Sequence, residues 1–190
     1  SYFLAPAFAL IGLIYFVLNL AYSNWLKHIP IVDVLVIAAG FVLRVAAGVS
    51  LIVVERFSPW LYVVMTLLAL YLGFGKRRAE LTALADGARS QRKVLDGYTI
   101  SFLDQLITIV SAATLIAYSL YTFLAPNVVN NHAMMLTIPF VMYSIFRYLY
   151  LIQVKQMGGA PEDLLLSDRP LQIGVVLWAI AVILILYLIN

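Results

Sequence analysis

Residues 31–54 read IVDVLVIAAGFVLRVAAGVSLIVV, and only Asp33 and Arg44 among them carry charge. A helix crosses a bilayer core with about 20 predominantly apolar residues, and this run supplies them. Working outward, five further runs qualify or come close: about 3–22, 59–75, 101–124, 133–152 and 171–189. Turn-forming residues separate them. His28-Ile29-Pro30 ends the first loop, and Ser58-Pro59 opens the third run. Ala125-Pro126-Asn127 closes the fourth, and Gly158-Gly159-Ala160-Pro161 divides the last two. The spacing predicts an all-α integral membrane protein, a polytopic bundle with six spans present.

Composition agrees. Hydrophobic residues make up 64% of the 190, against roughly 45–50% in soluble domains. Charged residues are 11% and the mean hydropathy is +1.01. A soluble globular domain, a disordered tail and a nucleic-acid module are thereby excluded. The chain has no cysteine, which excludes disulfides, thiolate metal sites and a cysteine nucleophile.

The net charge of +3 is unevenly placed. Lys27 lies in the first loop. Lys76, Arg77, Arg78, Arg89, Arg92 and Lys93 lie in the third, and Lys155 and Arg169 in the fifth. The second and fourth loops hold only Arg56. The positive-inside rule puts the odd-numbered loops in the cytoplasm and both chain ends outside. The sequence opens at Ser1, already against an apolar run, with no basic signal-peptide region before it. The expectation is one transmembrane domain over 1–190, the N-terminally truncated part of a longer membrane protein.

Charges inside spans are costly and default to functional hypotheses. Asp33, Ile37, Gly40, Arg44 and Gly48 share one helix face. Three readings stay open there: an Asp33–Arg44 arrangement, Arg44 held by neighbouring helices, or Arg44 as an anion ligand at the base of a cytoplasmic pocket. Span four carries a polar stripe of Ser101, Asp104, Thr108, Ser111 and Tyr118. Ser111 and Tyr118 suit helix packing, whereas Asp104 is better placed for a site. In span five, Arg147 either snorkels to the interface or serves the site.

Loop three is the richest feature. Gly75-Lys76-Arg77-Arg78-Ala79-Glu80 continues span three, and Arg92-Lys93-Val94-Leu95-Asp96-Gly97-Tyr98 returns to span four. One reading is topology control and anionic lipid headgroups, with Lys76–Glu80 and Arg92–Asp96 as helical pairs. The other is a phosphate cradle, for which Arg forks and Lys point charges are suited. In loop five, Asp168 or Ser167 can cap the last span, with Pro170 in its first turn. His28 and His132 lie in loops on opposite sides and make no metal site.

Taken in order, these pieces resemble the UbiA-type prenyltransferase superfamily, and most closely its decaprenyl-phosphate phosphoribosyltransferase branch. The resemblance rests on Tyr22-Ser23-Asn24-Trp25-Leu26-Lys27-His28 and on Ala39 through Gly48 around Arg44. Gly75-Lys76-Arg77-Arg78-Ala79-Glu80-Leu81 is the most specific element, supported by Arg92-Lys93-Val94-Leu95 and Tyr98. Ile138-Pro139-Phe140 with Arg147-Tyr148, and Pro161-Glu162-Asp163 through Asp168-Arg169, complete it.

The resemblance implies a nine-span fold of which this chain holds the last six. It implies transfer of 5-phosphoribose from phosphoribosyl pyrophosphate to a polyprenyl (decaprenyl) phosphate, with Mg²⁺, for cell-wall arabinan precursors. The implied place is a bacterial plasma membrane, with the active site facing the cytoplasm, among membrane lipids and compatible with a homo-oligomer. The family's Asp-rich magnesium motif is absent from this sequence, so no metal ligand is assigned here, and the chain alone is expected to be inactive. Lys76, Arg77 and Arg78 would bind donor phosphates, with Glu80 orienting one of them. Arg92 and Lys93 belong to the same basic loop. Lys27 and Arg44 would hold phosphate deeper, that of the lipid. Tyr22 and Tyr98 would offer hydroxyls, and Arg147, Asp168 and Arg169 would close the rim.

Two rivals are weighed against this. Prenyl transfer from a polyprenyl diphosphate to an aromatic acceptor predicts Asp-x-x-x-Asp where Lys76 to Glu80 stand. A transporter or scaffold predicts polar residues spread through the membrane depth.

Overall fold

The computed structural model describes residues 6–51, 58–85, 93–124, 132–157 and 161–188. The described residues form seven α-helices and no strand. In chain order these are α1 (Pro6–Asn24), α2 (Val32–Val49), α3 (Pro59–Ala85), α4 (Ile100–Leu124), α5 (Ile138–Gln153), α6 (Pro161–Ser167) and α7 (Arg169–Leu188). Short 3-10 segments cover Leu26–His28, Lys93–Gly97 and Ala133–Thr137. Five helical stretches are long and apolar enough to cross a membrane, namely 32–49, 59–84, 100–124, 133–153 and 169–188. The apolar helix over Phe8–Asn24 is shorter. The chain is a multi-pass membrane protein built as a helical bundle.

The helix boundaries follow local chemistry. Proline opens α3 and α6, where its missing N–H costs nothing. Asp168 caps α7, its Oδ1 accepting the Leu171 N–H at 2.8 Å. Two boundaries differ from the hydropathy reading. Helix α3 runs ten residues beyond position 75, because Lys, Arg, Glu and Leu are good helix formers once the bilayer ends. The fifth loop contains α6, which buries Leu164 and exposes Glu162 and Asp163.

Packing is uneven along the bundle. Val94, Leu95, Leu103, Ile107, Tyr148, Leu151, Ile152 and Leu164 form a buried cluster at the end where the basic loops lie. Toward the other end, Tyr118 ties three elements together. It hydrogen-bonds Thr137 at 2.6 Å and accepts from the Trp178 indole at 2.8 Å. The packing role expected for Tyr118 is observed. Large apolar side chains such as Leu13, Phe16, Ile109, Ile116, Ile173 and Ile180 point outward, as a lipid-facing surface requires. Helices α2 and α3 approach closely at Gly73, where an added Cβ would stand 2.5 Å from a Val34 methyl.

Candidate active site at the basic end

Successive membrane helices alternate in direction, so the C-terminal parts of α3 and α5 meet the N-termini of α2, α4 and α7. Polar residues from all of these converge there. Asp33, fully buried in the first turn of α2, is the centre of one cluster. The Arg77 Nε donates to Asp33 Oδ2 at 2.6 Å, and Arg77 Nη1 donates to Glu80 at 2.9 Å. The Tyr98 hydroxyl donates to Asp33 Oδ1 at 2.7 Å and accepts the Ile31 N–H. Ile31 sits at φ 70, a strained value for a β-branched residue, and this hydrogen bond holds it there. Burial, together with the Asp33 carboxylate, pushes the Tyr98 hydroxyl well above its ordinary pKa, so it remains a donor. Tyr22, near the end of α1, lies within electrostatic reach of Arg77.

Arg78 turns the other way. Its Nε donates to Asp104 Oδ1 at 2.6 Å, and its Nη1 donates to the Ile152 carbonyl at 2.6 Å. Gln153 donates to the same Asp104 oxygen at 3.1 Å. Arg77 and Arg78 are therefore both buried and paired, and join α3 to α2 on one side and to α4 and α5 on the other. Lys76 is half-buried and has no ion-pair partner among the described residues.

A third pair closes the rim. Arg147 meets Asp168 through two parallel bonds, Nε to Oδ1 at 3.0 Å and Nη2 to Oδ2 at 2.8 Å. The hydrogen bond from Arg147, reinforced by the Leu171 N–H, holds the Asp168 carboxyl below its usual pKa. Arg169 is exposed beside this pair, and Lys27 and Lys93 are exposed on the two 3-10 segments near the Asp33 cluster. Arg92, with its expected pairing to Asp96, lies outside the described residues.

Two expectations are corrected. Asp33 pairs with Arg77, not Arg44; eleven residues separate Asp33 from Arg44. At 1.5 Å per residue that is about 16 Å along the helix, too far for contact. Arg44 is held by the neighbouring helix α1, donating to the Tyr15 hydroxyl at 2.6 and 3.2 Å. The second correction concerns Glu80, which takes Arg77 three residues back, while the Lys76–Glu80 pair does not form. Asp33 was visible as a buried acid but not as the partner of Arg77. Asp104 could be singled out from its position, but Gln153 carried no signal.

Beside the polar end lies an apolar cavity of about 700 Å³ between α3, α4, α5 and α7. Tyr71, Tyr118, Tyr121, Tyr148 and Trp178 line it, and Glu162 of α6 stands at its edge. Among the described residues no group of three His, Asp or Glu side chains converges to hold a metal ion.

No protein-family model matches the chain. Among curated proteins, it is 30% identical over 178 residues to a decaprenyl-phosphate phosphoribosyltransferase of Mycobacterium tuberculosis, covering 94% of this chain and 58% of that protein. The chain is similar to a protein of this name over nearly all of its own length. A Corynebacterium glutamicum protein of the same name is 29% identical, over 92% of this chain and 53% of the relative. One from Mycolicibacterium smegmatis is 28% identical, over 94% and 58%. The chain thus spans little more than half the length of the curated relatives it matches.

Proposed function

We propose that the protein transfers 5-phosphoribose from phosphoribosyl pyrophosphate to a polyprenyl phosphate, releasing pyrophosphate, in a bacterial inner membrane with the basic end in the cytoplasm. The similarity to proteins of that named activity, running over 94% of the chain, is the observation that carries the reading. The collection of cations and buried pairs at one end of the bundle supports it.

In the proposed reaction a lipid phosphate oxygen attacks the anomeric carbon of the ribose. The carbon–oxygen bond to pyrophosphate breaks, and pyrophosphate departs with the bonding pair. A phosphate monoester is already anionic near neutral pH, so a strong general base is not obligatory. Catalysis rests on positioning and on stabilising charge that moves onto the leaving group. Among the described residues Lys76 has no acid partner, and it supplies a cation of the basic run, joined by Lys27 and Lys93 from the neighbouring 3-10 segments. Arg77 and Arg78 act as positioning residues, since their guanidinium groups are engaged by Asp33, Glu80 and Asp104. Tyr22 and Tyr98 border this cluster, and Arg147, Asp168 and Arg169 frame its rim. The lipid chain lies against apolar helix faces, where the cavity beside Tyr148 offers room. Magnesium is proposed as the counter-ion of the donor pyrophosphate, and its protein ligands are assigned to none of the described residues. The arabinan precursor role remains part of this same proposal.

The test uses the full-length protein in membranes with radiolabelled phosphoribosyl pyrophosphate, polyprenyl phosphate and Mg²⁺. Label appearing in the lipid fraction, and lost in Lys76→Ala, is the expected result. Prenyl transfer to an aromatic acceptor, with no lipid label, would overturn the substrate assignment and leave the fold intact.

A further inference from the structure

Ile31 precedes α2 with φ 70 and ψ −48, a conformation that a β-branched residue adopts only where its surroundings hold it. What holds it comes from beyond the basic loop. The Ile31 N–H donates to the Tyr98 hydroxyl, and that hydroxyl donates to Asp33 Oδ1 at 2.7 Å. One residue earlier on each side, Gly97 lies against Pro30, and an added Cβ there would run into the proline ring. Tyr98 is fixed in turn. Its ring stacks on Phe102 with 6.5 Å between centres, and its N–H donates to the Leu95 carbonyl at 3.0 Å. The turn at Pro30-Ile31 and the turn at Gly97-Tyr98 are thus fastened to each other. Each carries an exposed lysine on the 3-10 segment before it, Lys27 on one and Lys93 on the other, and the two segments touch.

We infer that Tyr98 is a positioning residue, whose hydroxyl fastens the Lys27 and Lys93 segments together through the strained turn at Ile31 and does not itself bind phosphate. A phenol has one proton to donate, and Tyr98 gives it to the fully buried Asp33. A charged phosphate oxygen only accepts, so the hydroxyl has no donor left for it. Tyr98 is also only 5% exposed, which closes it to a substrate arriving from solvent. This role differs from the hydroxyl contact that the family resemblance implies. The strain at Ile31 is offset by the Tyr98 bond and by the Gly97–Pro30 contact, so loss of either lets the turn relax and the two lysines part. The inference rests on the phosphoribosyl-transfer reading, which supplies the phosphates that Lys27 and Lys93 meet.

The test joins donor kinetics of the full-length protein in membranes, by the radiolabel assay, to hydrogen exchange of the peptide over residues 26–36. Tyr98→Phe keeps the ring and removes both bonds of the hydroxyl. The expected result is a KM for phosphoribosyl pyrophosphate about tenfold higher with kcat kept, and faster exchange of the peptide. Gly97→Ala leaves the side chains of the site unchanged and is expected to reproduce the KM rise. Glycine adopts φ 70 freely, so the double variant Ile31→Gly/Tyr98→Phe should recover most of the loss. A Tyr98→Phe defect that Ile31→Gly does not relieve would make the hydroxyl a direct ligand and overturn the inference. A wild-type KM in Tyr98→Phe or in Gly97→Ala would overturn it too, as would a loss confined to stability or kcat. A wild type that transfers no phosphoribose would overturn the functional reading alone. The exchange then decides the fastening, which falls if Tyr98→Phe exchanges as wild type does.

Discussion

At the scale of single residues, the basic run 76–78 separates into three different roles. Neighbouring residues on a helix point about 100° apart, so three in a row cannot face the same partner. Arg77 faces Asp33 and Glu80, Arg78 faces Asp104 and the Ile152 carbonyl, and Lys76 has no ion-pair partner among the described residues. The run was legible in the sequence as a run, and its division was not, because the partners come from other helices. Two variants separate the roles. Arg77→Ala leaves Asp33 buried and unpaired and is expected to cost about 3–5 kcal/mol of stability, the usual effect of breaking a buried pair. Lys76→Ala is expected to change stability by less than about 0.5 kcal/mol while abolishing transfer to lipid. Thermal unfolding in detergent, set beside the radiolabel assay, measures both. A Lys76→Ala protein of normal activity would remove Lys76 from the site.

At the scale of elements, the contact of α2 with α3 and the start of α7 each depend on one residue. A Cβ on Gly73 would stand 2.5 Å from the branched Val34 side chain, which has no flexible end to move aside. Gly73→Ala is therefore expected to cost about 1–3 kcal/mol by overpacking. Val34→Ala in the same chain should recover part of that loss, and thermal unfolding of the single and double variants checks it. A Gly73→Ala protein as stable as wild type would mean that the helices slide apart freely. The cap of α7 gives a pH-dependent prediction. Arg147 lowers the Asp168 carboxyl pKa in the folded protein, so the unfolded chain binds the proton more readily. The stabilisation is thus present above about pH 4 and is lost as pH falls through the folded value. Asp168→Asn should flatten that part of the stability curve and also weaken the cap above it. The cap was readable from Asp168-Arg169-Pro170 alone, since it is local chemistry. The Arg147 clamp was not, because it joins residues 21 apart through a fold.

At the scale of the whole molecule, hydropathy recovered five of the six expected spans as helices long enough to cross a bilayer and the first as a shorter apolar helix, because a bilayer demands long apolar helices whatever their neighbours do. The continuation of α3 through Glu80 was read from its basic run rather than from hydropathy, while its last turn to Ala85 and the small helix α6 escaped the sequence reading. Both lie where the apolar signal stops and ordinary helix propensity and capping take over. The direction of the bundle rests on charge alone, since the described pairs show which residues share an end but not which side of a membrane that end occupies. These 190 residues hold no cysteine, so a thiol introduced among them is unique within this stretch and makes the direction measurable once any cysteine elsewhere in the protein is replaced. His28 and Asp163 are exposed near the basic end, and His132 is exposed at the opposite end. In spheroplasts treated with a membrane-impermeant maleimide, His132→Cys is expected to react from outside. His28→Cys and Asp163→Cys should react only after the membrane is opened. The reverse pattern would place the basic end outside the cell and remove it from any cytoplasmic supply of a soluble sugar-phosphate donor. The site and its proposed substrate therefore stand or fall with this orientation, independently of any assay of the chemistry.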